Sequence, residues 1–259
     1  MHSDKSRCIY QNNQLADVIC QLRFPEILRI GTQVPADFQE AIRSDYPIYS
    51  LREETHPPRL TGTPENFHVE KGGTTKNHQF TSADGIWRVN LTSNFISLSC
   101  ARYHRWEAFA AKLDKPLVAF IQTYQPAFFT RIGLRYMNFI SRSSLDLDGT
   151  PFYDLIQDAY LGILGNGLIP EHTANRSTVD AEYRLADGCH VKLHAGLGMV
   201  KQNGKDDPET KFILDQDLFF MQTCPVQEVA DTIQSLHTHA YPIFRNAITD
   251  LLHNAMQPE

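Results

Sequence analysis

The chain has 259 residues, 42% hydrophobic and 21% charged, with 24 basic against 30 acidic side chains and a net charge of −6. That is ample material for a core, and the mild acidic balance argues against phosphate-backbone binding as the main task. Five scattered cysteines (Cys8, Cys20, Cys100, Cys189, Cys224) without a CxxC pair argue against a disulfide framework or structural zinc and point to reduced thiols in a cytoplasm.

The polar stretch Met1 to Arg7 has no signal-peptide core behind it, and no apolar run reaches the roughly 18 residues of a membrane span. Asp17 to Phe24 reads as a half-buried strand, with Val18, Cys20, Leu22 and Phe24 on one face and Gln21 and Arg23 on the other. Pro35 opens a short helix through Ile42. Residues 52–66, with Pro57, Pro58 and Pro64, read as a loop. Phe67 to Cys100 reads as a meander of strands, turning at Ser82-Ala83-Asp84-Gly85. A helix starts near Arg105 with the stripe Trp106, Phe109, Leu113, Leu117, Ile121 and Tyr124, and Pro116 should kink or restart it. Tyr103, Trp106 and Phe109 read as core.

The same order then returns. Arg131 to Ile140 is a strand, and Pro151 opens a helix through Leu164 that Gly165 and Gly167 end. Ser177–Leu185 and Cys189–His194 form a hairpin, and Phe212 to Met221 is a strand. A last helix from about Val226 carries Val229, Ile233, Leu236, Ala240, Phe244, Ala247 and Leu251, with Pro242 midway. The expected fold is therefore α+β: two pseudo-repeats of strand, helix, antiparallel strands and long helix, over residues 1–126 and 127–259, packed as one unit. Their antiparallel sheets would meet across a pseudo-two-fold axis, with helices on one face.

Period 2 sets the second hairpin's register. A loop with Gly188 in the left-handed conformation pairs Leu185 with Cys189, Tyr183 with Val191 and Ala181 with Leu193. On the other face it pairs Arg184 with His190, Glu182 with Lys192 and Asp180 with His194. One face is then apolar and the other charged. The charged face is either a solvated surface of opposite-charge pairs or the floor of a polar groove.

Two groups of residues are candidates for a site. Arg131, Gly133 and Arg135 share a strand face, and Arg23 lies on the matching face of the first strand. Together they form either a platform for a carboxylate, phosphate or partner backbone, or a set of arginines bridged to acidic neighbours. Asp215 and Asp217 also share a face, and with Asp180 and Glu182 they could hold Mg²⁺ or Mn²⁺ for phosphodiester cleavage. His237 and His239, two apart on a helix, do not face each other, and with His253 they do not read as a metal site. No nucleotide loop, nucleophile elbow or H-E-x-x-H occurs.

Asp17 to Phe24, Tyr103 with Trp106-Glu107 and Phe109, Arg131-Ile132-Gly133-Leu134-Arg135-Tyr136 with Asn138, and Leu214-Asp215 with Asp217 follow one another in order. This series resembles a sporadically distributed, uncharacterised prokaryotic family of similar length, over almost the whole chain. The resemblance implies no activity, cofactor or catalytic residue. Its patchy distribution is like that of accessory genes, including toxin–antitoxin and phage-defence genes. The expectation is a non-catalytic binding protein for a protein partner or an anionic small ligand, with Arg23, Arg131 and Arg135 supplying charge and Tyr136 and Asn138 in support. It would need no cofactor and no membrane, and a homo-oligomer is left open. The alternatives are a metal-dependent nuclease or phosphodiesterase, and a nucleic-acid binder without catalysis.

Overall fold

A computed structural model describes residues 8–55, 59–63, 66–70, 73–167, 169–202 and 205–259. In chain order the first half holds β1 (Leu15–Arg23), α1 (Leu28–Thr32), α2 (Ala36–Ile42), β2 (Ile48–Thr55), β3 (Arg59–Thr63) and β4 (Asn66–Glu70). It continues with β5 (Thr74–Thr81), β6 (Trp87–Leu91), β7 (Phe95–Cys100) and α3 (Trp106–Tyr124). The second half holds β8 (Arg131–Ile140), α4 (Phe152–Leu155), α5 (Asp158–Leu161), β9 (Thr178–Arg184) and β10 (His190–Gly198). It ends with β11 (Lys201–Gln202), β12 (Lys205–Asp206), β13 (Lys211–Phe220), α6 (Val229–Ala247) and α7 (Asp250–Ala255).

Nine of these strands form one antiparallel sheet in the order β2-β5-β6-β7-β1-β8-β13-β10-β9, where two sheets were expected to meet. β1 and β8 sit side by side near its middle, pairing Val18 with Tyr136, Cys20 with Leu134 and Leu22 with Ile132. Those residues face the helices. Phe24 packs on Phe120 of α3, Phe38 of α2 on Phe80, and Phe152 of α4 on Phe212. Alternation puts the intervening residues on the opposite, open face.

The hairpin register holds in every pair expected, from Arg184–His190 to Asp180–His194, and Gly188 has φ +90°. Other elements differ. Ile48–Thr55 is an edge strand on β5 and Arg59–Thr63 a strand on β4, where residues 52–66 read as a loop. Exposure of every residue of β2 hid it from a periodicity argument. Pro57, Pro58 and Pro64 lie outside the described residues. Pro116 does not interrupt α3. Proline strips the carbonyl four residues earlier of its helical partner, and the Tyr46 hydroxyl donates to that carbonyl, Lys112 O, at 2.7 Å.

The helix expected from Pro151 to Leu164 is broken into α4 and α5. Ile156 leaves the helix to bridge Ile248, and Gln157 N–H donates to Ala247 O at 2.9 Å. The same bridge ends α6 before Leu251, which is exposed on α7 rather than part of the buried stripe.

Candidate functional site: the open face of the sheet

Four strands bring the charged residues together. Glu182, Lys192, Asp217 and Arg135 stand in one row across β9, β10, β13 and β8, with Asp180, His194, Asp215 and Met137 in the next. The ion pairs run both along and between these rows. Arg135 grips Asp215 with two hydrogen bonds, the Nε one at 2.7 Å. Arg131 Nη2 donates to both oxygens of Asp217, at 2.8 and 3.0 Å. Lys192 meets Glu182 at 3.3 Å, and His194 Nδ1 meets Asp180 Oδ1 at 2.6 Å.

Gly133 is the reason Arg131 can reach. A Cβ at position 133 would lie 2.3 Å from Arg131 Nη1, so the guanidinium occupies the space a side chain would take. It passes 4.3 Å above the Phe219 ring on its way to Asp217. His190 stacks on the same ring at 5.2 Å, which leaves Phe219 only 3% exposed although it points to the open side. The expected platform for an approaching ligand is therefore filled by the chain's own arginine.

The paired groups line a groove of about 550 Å³ that takes in Asp180, Glu182, Lys192, His194, Asp215 and Asp217. Next to it the open face turns apolar, with Ile19, Met137, Phe139 and Ile213 half-buried. Arg23 stands exposed beyond them, opposite Arg131, and donates to Gln21. The four carboxylates proposed for Mg²⁺ or Mn²⁺ are each engaged by a basic side chain, and a hard cation would have to displace it. Among the described residues no cluster of three or more His, Cys, Asp or Glu is arranged to hold a metal ion.

Tyr136 and Asn138 lie on the covered face, away from the arginines they were expected to support. The Tyr136 hydroxyl and His237 Nδ1 of α6 are 2.8 Å apart, and Asn138 Nδ2 donates to Leu214 O at 3.3 Å. His237 also stacks on Trp106 at 4.2 Å. His239 meets Asp187 and His253 meets Tyr10, so the three histidines serve separate contacts. Both Tyr136 and Asn138 border a cavity of about 90 Å³, where Gln216 of β13 also points. Gln216 stands between two aspartates that face the other way. Its signal was a polar residue at an apolar-face position, flanked at two-residue spacing by Leu214 and Leu218.

Asp17 of β1 is a strained charge beside the site. Burial raises its pKa above the usual carboxylate value, against the backbone amides of Val18 and Cys100 and the charges of Arg88 and Arg135, which lower it. Its Oδ1 is buried with no hydrogen bond among the described residues. A carboxyl whose folded pKa is raised is neutral in both states at low pH, and it costs stability once pH rises through the unfolded and then the folded value. Asp17→Asn is therefore expected to stabilise the protein by about 1 kcal/mol at neutral pH. Urea denaturation at several pH values should show the gain shrinking toward the ordinary aspartate value of about 3.9. A loss of stability at neutral pH would contradict this.

Comparison with known proteins gives no match to any family model and none to a curated protein.

Proposed function

We propose that the chain is a non-catalytic binding protein whose open sheet face takes a protein partner. The observation that carries this reading is the pairing of Arg131 with Asp217 and of Arg135 with Asp215. A small free anion would have to break those pairs and leave a carboxylate unpaired. A protein surface offering both signs can meet the pattern as it stands, with its side chains already ordered. The apolar strip Ile19, Met137, Phe139 and Ile213, beside a charged border rich in arginine, has the composition of an interface centre with a polar rim. The resemblance of the strand motifs supports a setting in an accessory system of the toxin–antitoxin or phage-defence kind, and the free thiols suit a cytoplasm.

The same proposal reads the halves as copies of one unit. In support, each half begins with a strand that pairs with the last strand of its own meander, β1 with β7 and β8 with β13. Each also carries, after that meander, a 19-residue helix containing a proline, Pro116 or Pro242.

The test places a photo-crosslinking residue at Met137, and as a control at Val118, exposed on α3. In the native host, Met137 should yield one adduct of defined mass and Val118 none. The double swap Arg135→Asp with Asp215→Arg keeps an ion pair but reverses its direction, and should cut that adduct about tenfold or more. No adduct at Met137, or an adduct indifferent to the swap, would sink the proposal.

A further inference from the structure

The covered side of the sheet carries a separate feature that the partner reading does not use. The cavity of about 90 Å³ lies between β8, β13, α6 and the segment Cys8–Leu15, and Tyr103, Tyr136, Tyr241 and Phe244 are among the residues that line it. That is about three times the ~30 Å³ that one water takes up in the liquid. Gln216 points into it at 1% exposure, and neither its carboxamide oxygen nor its nitrogen has a hydrogen-bond partner among the described residues. A buried, unsatisfied amide is costly, so this one calls for an occupant.

Chemistry narrows the occupant. Several other polar groups on the wall are already engaged, while His104 and His237 also border it. Asn138 donates to Leu214 O, Tyr241 OH contacts Cys8 Sγ at 3.1 Å, and Asn13 donates to Tyr103 O at 2.6 Å. Water needs two to four polar partners per molecule, and most of the remaining wall is apolar, with Tyr10, Tyr103, Tyr136, Tyr241 and Phe244 among its residues. Waters beyond those bonded to Gln216 would face mostly apolar wall and lack the partners they need. Among the described residues no Asp, Glu, Lys or Arg lines the cavity, and His104 and His237 are the ionisable groups besides the tyrosines and Cys8 on its wall, so a carboxylate-, phosphate- or ammonium-bearing ligand would find no full, permanent counter-charge there. A carboxamide offers one donor and one acceptor side by side, and flat aromatic walls suit a flat molecule.

We infer that this cavity is a binding site for a small, uncharged, planar ring carrying adjacent carbonyl and N–H groups, with the Gln216 carboxamide reading that edge. The pairing is the two-point kind that a cyclic amide makes with a primary amide. Cys8, Ile9 and Tyr10 form the outer wall, in a segment held to residues 256–259 through Gln11 N–H to Gln257 O at 3.0 Å and Glu259 N–H to Ile9 O at 2.8 Å.

Calorimetric titration and thermal-shift measurement of the full chain with uracil and with pyridone test the inference. N,N-dimethyluracil, of the same ring but without N–H, is the control. At least one of the two cyclic amides should bind and raise Tm, and dimethyluracil should bind about tenfold or more weaker. Gln216→Leu should lose binding of the amide to the same extent while melting no lower than wild type, because it removes an unsatisfied polar group. Gln216→Met is the second variant if leucine's branch disturbs β13. The inference is overturned if neither amide binds, if dimethyluracil binds as well as uracil, or if binding survives both substitutions. It is overturned equally if a crystal structure grown with saturating uracil shows only ordered water on Gln216. None of these outcomes bears on the crosslink at Met137, which lies on the opposite face.

Discussion

Severing the chain between residues 126 and 127 is expected to leave neither half folded alone, a loss of the whole folding free energy, about 5–15 kcal/mol for a native protein. The halves share too much to part. β1 and β8 exchange a full antiparallel ladder, and Thr130 N–H donates to Arg23 O at 2.8 Å. Phe129 packs edge-on against Phe24 and also against Phe120, carrying the second half into the first half's core. The two long helices are tied by Trp106 Nε1 donating to Gln234 at 2.8 Å and by the Trp106–His237 stack. Tyr10 bridges Pro258, so the beginning of one half is paired with the end of the other. Separation would bare the fully buried β1 residues Val18, Cys20 and Leu22 at a new sheet edge. Expressed singly, fragments 1–126 and 127–259 should show no cooperative urea transition, and expressed together they should regain one. A first fragment that melts cooperatively on its own would mean that residues 1–126 form an independent domain.

What the sequence disclosed follows from periodicity. The 177–194 hairpin could be registered to the residue, because only one pairing keeps Tyr183, Val191, Ala181 and Leu193 together and the charges opposite. The same alternation placed Arg131, Gly133 and Arg135 on one face. Where an element has no apolar face, as in β2, there was nothing to read. Nor could local sequence report the tertiary contacts that decide helix ends, such as the Ile156–Ile248 bridge or the Tyr46 hydroxyl that lets α3 run through Pro116. The site was half visible. The charges and the glycine were in view, but whether Arg131 reaches outward or folds back over Gly133 depends on Phe219 and Asp217, 86 residues away. Gln216 was masked by the aspartates on either side, although its place on the apolar face of β13 was the stronger clue.

Leu134→Ala should be the most damaging single truncation in the distinctive Arg131–Asn138 segment. Leu134 is fully buried at the seam, with Cys20 beside it on β1 and Leu218 on β13. Its neighbours cannot close over the gap, since both flanking strands are held in ladder spacing and α6 packs on β8 and β13. Lost transfer energy and an uncollapsed cavity together should cost about 2–5 kcal/mol, or a fall in Tm on the order of 5–20 °C for a chain of this size. Lys192→Ala, on the open face of the same sheet, gives the contrast. Its pair with Glu182 leaves both side chains more than half exposed, 56% and 54%, and such pairs contribute at most about 1 kcal/mol. Urea denaturation of the two variants side by side measures how unequal the faces are. A Leu134→Ala cost no larger than that of Lys192→Ala would mean that the helices do not cover this face in solution. The division into a covered side that holds the cavity and an open side that meets a partner would then fail with it.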